Sequence, residues 1–311
     1  MNNLRIVFMG TPNFATASLQ ALVEKNYNVV GVITVPDKPA GRGQKLRCSS
    51  VKEYAISQNI PILQPNNLKD ESFLLKLKIL NPDIQVVVAF RMLPEVVWNI
   101  PKHGTFNLHA SLLPKYRGAA PINWAIINGD TSSGVTTFFI EHQIDTGNII
   151  FQEKVSIETD DDAGILHDKL MRIGSQLVCK TIDSIAEDTA PNIKQEGTAT
   201  KAPKIYKDTC QIDWYKDLHT IQNHIRGLSP YPGAWTTLSN GKSLKVYKSS
   251  KEESPHEAKI GSILTDGKSH FKVAVNDGFI HLKEIQLAGK KRMAISDFLR
   301  GFEMNETLTV Q

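Results

Sequence analysis

The first 37 residues leave this chain few folds to choose from. Residues 4–10 (LRIVFMG) are a nearly unbroken apolar run, the pattern of a strand covered on both faces. In the next segment Pro12 stands where a first helical turn tolerates it, and Ala15, Leu19, Leu22 and Val23 recur on one helical face. Residues 27–37 (YNVVGVITVPD) are a second apolar run. Two buried strands joined by a helix run parallel, because the helix returns the chain to the starting end, and the crossover is right-handed. This opening predicts an α/β fold with a Rossmann-like, doubly wound, mostly parallel sheet. Residues 83–90 (DIQVVVAF) supply a further buried strand, and 134–142 leading into 145–157 reads as an antiparallel pair. A helical apolar period over 163–188 closes a first domain, 1–188.

At 311 residues the chain is long enough for two domains. Residues 189–208 mix Pro, Gly, Thr, Ala and Lys without a sustained period, which is linker composition. Beyond an amphipathic stretch at Leu218, Ile221 and Ile225, residues 209–311 alternate in short segments. Turns at Ser239-Asn240-Gly241, Asp266-Gly267 and Asp277-Gly278 separate these, predicting a small OB-like β-barrel. The charge is unevenly spread: residues 1–200 hold 19 Lys/Arg against 20 Asp/Glu, and residues 201–311 hold 17 against 12. A basic second domain fits an anionic partner such as nucleic acid, but on charge alone the preferred reading is a lysine-rich solvated face. No stretch of about 18 residues is uniformly apolar, so no membrane partner is expected. The N-terminal residues resemble neither a signal peptide nor a transit leader, and Cys48, Cys179 and Cys210 are odd in number and far apart. Both points lead to an expected cytoplasmic location with inert thiols.

Gly10 follows the first strand, but a dinucleotide fingerprint needs glycines at the positions of Pro12 and Ala15. NAD is therefore not expected, and the Gly10-Thr11-Pro12 turn reads as one wall of a pocket. Chemistry concentrates in 106–126 (FNLHASLLPKYRGAAPINWAI). In an extended Asn107-Leu108-His109, the amide and the imidazole share a face while Leu108 points the other way. An amide N–H can bind a developing oxyanion, and an imidazole can move a proton near neutral pH. Asp145, in a turn between two strands, is the candidate carboxylate to orient that imidazole. On these residues alone, a structural polar pair beside an ordinary turn is the preferred reading over a catalytic set. His103, His142 and His167 are assigned to the surface or to local hydrogen bonding.

The longer blocks are more specific. GTPNFA, PDKPAGRGQKL, NLHASLLPKYRGAAPINWAI, IDTGN, APKI, IDW, IRGLSPYPGAW and IQLAGKKRM occur in the order found in methionyl-tRNA formyltransferases, and the chain resembles that family over nearly its whole length. The resemblance implies a formyl transfer from 10-formyltetrahydrofolate to the α-amine of methionine on initiator tRNA, with no metal. It implies Asn107 as oxyanion donor, His109 as the proton-transfer group and Asp145 as the group that orients His109. It places the folate against Ser111, Leu112, Leu113 and Pro114, with Val88, Ala89 and Phe90 as a pterin wall. The basic loop 36–47 would meet the acceptor stem, Arg42 reading its end while Lys38, Lys45 and Arg47 contact phosphates. Lys201, Lys204 and Lys207 would follow the tRNA backbone, with 290–292 (KKR) as a further patch, and the expected state is a monomer.

Two departures stand out. Phe90-Arg91 replaces a usual Tyr-Gly, which offers Arg91 to the folate carboxylates or to solvent. The segment before Asp145-Thr146-Gly147 lacks its usual Met-rich, Gly-Leu form. Two rival readings remain: another 10-formyltetrahydrofolate-dependent formyltransferase or hydrolase acting on a small amine, and a non-catalytic RNA-binding protein.

Overall fold

The computed structural model describes residues 4–40, 45–301 and 308–310. Their compact packing divides the chain into two units. One holds residues up to Gly118, Gly134–Val155 and His167–Lys201; the other holds Ala119–Ser133, Ser156–Leu166 and residues from Ala202 onward.

Among the described residues, seven strands form the sheet of the first unit: β1 (Ile6–Gly10), β2 (Val29–Ile33), β3 (Ile62–Leu63), β4 (Ile84–Val88), β5 (Thr105–His109), β6 (Ser132–Phe139) and β7 (Ile149–Ser156). Their order is β3-β2-β1-β4-β5-β6-β7. The first five pair in parallel, and β6 turns antiparallel against β5. All five residues of β1 and of β4 are buried, as strands covered on both faces require, with Gln85 the one polar residue among them. Helix α1 (Asn13–Glu24) buries Phe14, Ala15, Ser18, Leu19 and Leu22. It lies so close to β1 that a Cβ on Gly10 would come within 2.5 Å of the Ala15 Cβ, so only glycine fits there.

The strand order reverses between β1 and β4, and in such sheets the crevice at the carboxyl ends of the strands is where ligands bind. Gly10 ends β1, Val88 ends β4 and His109 ends β5 beside it. The fold thus carries the candidate residues of three chain segments to one rim.

The sequence reading placed no element between 38 and 82, where the structure has α2 (Ser50–Ser57) and α3 (Glu71–Ile79). Both start at a side-chain cap: Ser49 Oγ accepts from the Lys52 N–H at 3.1 Å and Asp70 Oδ1 from the Phe73 N–H at 3.0 Å. Those caps were the available sequence signal, although each helix buries only two residues. Four further helices, α4 (Glu95–Trp98), α5 (Pro121–Ile127), α6 (Ala163–Ala186) and α7 (Leu218–Gly227), follow in chain order. Over α6, Gly174 lies so close to β5 that an added Cβ would meet the Leu108 Cδ2 at 2.8 Å.

In the second unit, β8 (Ala234–Thr237), β9 (Ser243–Glu253), β10 (Ile263–Thr265), β11 (Phe271–Val275) and β12 (Gly278–Leu287) form an antiparallel sheet in the order β8-β9-β12-β11-β10. A short β13 (Met293–Ala294) pairs with β12. Val310 bridges Leu238, just past β8, and Thr309 bridges Ser262, just before β10, so one segment ties both sheet edges. An edge strand with free backbone groups is a pairing hazard, and this tie covers one end of each edge. Helix α7, capped by Asp217 at the Thr220 N–H (2.9 Å), turns Leu218, Ile221 and Ile225 into a core with Leu244, Phe271, Val273 and Ile285. The final short helix, α8 (Ile295–Leu299), adds Phe298 and Leu299.

Candidate active site

Strand β5 sets the site. Phe106 and Leu108 are buried on one face, Leu108 beneath α6, so Asn107 and His109 share the opposite face. The ladder fixes their height: Asn107 sits opposite Val87 of β4 and Phe138 of β6, and His109 opposite Thr136. Asn107 is half-buried, and its carboxamide has no hydrogen-bond partner among the described residues. A donor so placed is available to a substrate oxygen.

His109 is 7% exposed and has an acceptor facing each ring nitrogen. Nε2 lies 2.8 Å from the Tyr116 carbonyl oxygen, which only accepts, so this nitrogen carries hydrogen. Nδ1 faces Asp145 Oδ2 at 3.8 Å. Once protonated there, the imidazolium finds a carboxylate on one side and a carbonyl on the other. Asp145 occupies a left-handed conformation (φ 56°), and its Oδ2 accepts from the Gly118 N–H at 2.8 Å. In the same turn, a Cβ at Gly147 would come 1.7 Å from the Phe139 carbonyl oxygen, so the close return of the Asp-Thr-Gly turn to β6 needs glycine.

The Ser111–Pro114 turn is held mostly by side chains outside it. Ser111 is fully buried with its hydroxyl donating to the Lys115 carbonyl (2.6 Å), and its own carbonyl accepts from Thr136 Oγ1 (2.6 Å). Gln152 Nε2 donates to the Leu113 carbonyl at 2.9 Å, and Leu113 packs with Phe138 and Ile149. The Leu113–Pro114 peptide is cis. Leu112 and Pro114 stay half-buried and present the apolar surface of the turn. Past β4, Val88 is fully buried, Ala89 is exposed in a left-handed conformation (φ 45°) and Phe90 is half-buried.

Arg91 is anchored to a neighbouring loop. It is partly buried beside the Phe90 ring, with Nη1 donating to the Asn66 carbonyl (2.9 Å) and Nη2 to that of Pro65. Burial pulls its guanidinium below the ordinary arginine range. The planar fork ties down that loop through Nη1 and Nη2, while its buried Nε has no hydrogen-bond partner among the described residues.

The formyl transferase family matches residues 4–182, and the formyl transferase C-terminal domain matches residues 204–303. The methionyl-tRNA formyltransferase of Parabacteroides distasonis is 57% identical over 99% of this chain and 98% of its own. This chain belongs to the methionyl-tRNA formyltransferase family. The Bacteroides thetaiotaomicron enzyme of the same name is 54% identical, over 98% of this chain and 97% of its own. Among solved structures, WlaRD, described as a sugar 3N-formyl transferase in the presence of dTDP and 5-N-formyl-THF, superposes with a TM-score of 0.66. It is 25% identical and covers 93% of this chain and 99% of its own.

The cations fall in two places. Lys38 and Arg47 face each other across a short antiparallel ladder (Lys38–Ala40 with Lys45–Arg47), both exposed. Arg42 and the Lys45 side chain lie outside the described residues. In the second unit Lys204 and Lys207 are exposed, their ammonium groups 5.6 Å from the Tyr206 and Trp235 rings. His142 and His167 make local contacts with Glu95 (3.8 Å) and Asp168 (2.9 Å). Among the described residues no cluster of His, Cys, Asp and Glu could hold a metal ion, and no helix is long and apolar enough to cross a membrane.

Sequence reasoning missed the residues that brace the site: Thr136 and Gln152 under the Ser111–Pro114 turn, and Gln195 and Thr200 beside Asp145 and Tyr116. Each acts across dozens of residues through polar contacts, which leave no local pattern. Gln195 and Thr200 also stand in the stretch read as a linker. There the chain forms a paired bridge from Ile193 to Ile149 and a two-residue ladder of Lys201–Ala202 with Arg117–Gly118. Backbone pairing of this kind needs no apolar period.

Proposed function

We propose that this chain transfers the formyl group of 10-formyltetrahydrofolate to the α-amine of methionine esterified to initiator tRNA. The observation that carries the reading is the identity of 57% to a methionyl-tRNA formyltransferase over almost the whole of both chains. The amine attacks the formyl carbon, the carbonyl oxygen becomes an oxyanion, and the intermediate collapses as the bond to folate N10 breaks. Asn107 donates to the oxyanion, a contact of a kind worth roughly 2.7–4 kcal/mol in the transition state. His109 accepts the proton that the amine loses and is the group placed to return one to the departing nitrogen, an effect of about 10²–10⁴-fold. Asp145 orients the ring and stabilises its charged form. No protein nucleophile is required, because the substrate brings its own.

In this reading Leu112, Pro114, Ala89 and Phe90 flank the folate, while Ser111, Leu113 and Val88 hold the walls in shape. Arg42, Lys38, Lys45 and Arg47 meet the acceptor stem, and Lys204 and Lys207 follow the tRNA backbone. The protein works as a cytoplasmic monomer. Incubation with 10-formyltetrahydrofolate and charged Met-tRNA tests the assignment. Formylation of initiator Met-tRNA in strong preference to elongator Met-tRNA is expected. Transfer to an amino sugar or a ribonucleotide amine with none to Met-tRNA would reject it in favour of the small-amine chemistry.

A further inference from the structure

Arg117 is a cation of the 106–126 stretch to which the transfer chemistry gives no task, and Gln195 falls between the two family matches, 4–182 and 204–303. The two side chains meet beside the catalytic turn. Arg117 Nε and Nη2 donate to Gln195 Oε1 at 3.2 and 2.6 Å. Gln195 Nε2 donates to the carbonyls of Asp145 and Gly147 at 2.9 and 2.8 Å. A guanidinium only donates and a carbonyl only accepts, so the amide can sit in one orientation alone. Thr200 completes the bracing: its Oγ1 accepts from the Tyr116 N–H at 2.8 Å and its carbonyl from the Arg117 N–H at 2.9 Å.

Both acceptors that face the His109 ring are therefore set by one segment, 195–200. Thr200 holds Tyr116, whose carbonyl meets Nε2, and Gln195 holds the backbone of Asp145, whose carboxylate faces Nδ1. Asp145 needs such support. Its left-handed φ of 56° is a conformation an L-residue adopts at a cost, which neighbouring contacts hold in place. The Gly118 N–H fixes the carboxylate and Gln195 the main chain of the same residue.

We propose that Gln195 is a positioning residue for formyl transfer, clasping the Asp145–Gly147 turn with its amide nitrogen and Arg117 with its amide oxygen so that the carboxylate stays aimed at His109. This rests on the roles given above to His109 and Asp145. Only a neutral amide performs both halves of the clasp. Glutamate keeps the size and the Arg117 contact but sets a carboxylate against two carbonyl oxygens.

The test compares wild type, Gln195→Ala, Gln195→Glu, His109→Ala and the double variants carrying His109→Ala, with 10-formyltetrahydrofolate and charged initiator Met-tRNA as substrates. Both Gln195 variants should lose about 10–100-fold in kcat, the scale of a small misplacement, with KM for each substrate within about threefold. A thermal melt close to wild type in Gln195→Glu separates positioning from unfolding if Gln195→Ala proves unstable. A residue acting through His109 should add little further loss once His109 is alanine. Wild-type kcat in Gln195→Glu, a loss confined to KM, or a full additional loss in the His109→Ala background would overturn the inference. A wild-type protein that formylates no Met-tRNA would instead remove the transfer reading beneath it, and the wild-type arm tells the two failures apart.

Discussion

His109 is 7% exposed with an acceptor facing each ring nitrogen, whereas Lys38 and Arg47 stand exposed across a ladder of three residues a side. The contrast reflects two physical tasks. Stabilising an oxyanion and moving a proton need groups held to fractions of an ångström in a partly dry site, which takes strand register, a buried partner residue and bracing from distant segments. Capturing a phosphate backbone needs positive charge that remains in water, because the gain comes from counterion release and tolerates loose geometry. Two like charges placed opposite one another destabilise a ladder, and such a pair is relieved by an anion.

The largest expected effect lies at the buried end of this comparison. Asn107→Ala or His109→Ala should lower the formylation rate by roughly 10²–10⁴-fold while tRNA affinity holds, as read by single-turnover kinetics and filter binding. A rate loss matched by an affinity loss would erase the distinction between the two regions. Next comes Gly147→Ala, whose Cβ would come 1.7 Å from the Phe139 carbonyl oxygen. It should cost roughly 1–3 kcal/mol of stability and lower the rate as well, since the Asp145 turn must move. An unchanged melt would show that the turn is as forgiving as the exposed ladder.

The exposed end should answer differently. Replacing both Lys38 and Arg47 with alanine should weaken tRNA binding and reduce the slope of log affinity against log salt by roughly 2, one for each lost phosphate contact, with single-turnover chemistry on bound tRNA intact. An unchanged slope would remove these two cations from the contact. The smallest change belongs to Lys204→Ala, one exposed ammonium beside Tyr206, which should alter binding by no more than about threefold in a titration at fixed salt.

What the sequence made legible divides along similar lines. Strands β1 and β4 were plain because burial on both faces writes a nearly continuous apolar run, broken in β4 only by Gln85, and α6 and α7 because one buried stripe repeats at helical spacing. The alternation at Asn107-Leu108-His109 was legible because a strand admits only two faces, and Leu108 indeed packs away from them beneath α6. Helices α2 and α3 escaped because each buries only two residues, too few for a period. The tie from 308–310 to both edges of the second sheet escaped for a different reason, since it joins residues about 70 and 50 positions apart largely through backbone pairing. Arg91 shows how little a single charge reveals in sequence: its Nη1 and Nη2 reach the carbonyls of Asn66 and Pro65, contacts that leave no local pattern.

The central claim is that transfer chemistry resides in Asn107, His109 and Asp145 while the exposed cations only deliver the tRNA. One measurement addresses it directly: the single-turnover rate of initiator Met-tRNA formylation at saturating protein and 10-formyltetrahydrofolate, for wild type, Asn107→Ala and the Lys38→Ala, Arg47→Ala double variant. The account predicts a fall of about 10²-fold or more for Asn107→Ala and a rate near wild type for the double variant once its tRNA is bound. A wild-type rate in Asn107→Ala, or an equal collapse in the double variant at saturation, would contradict it.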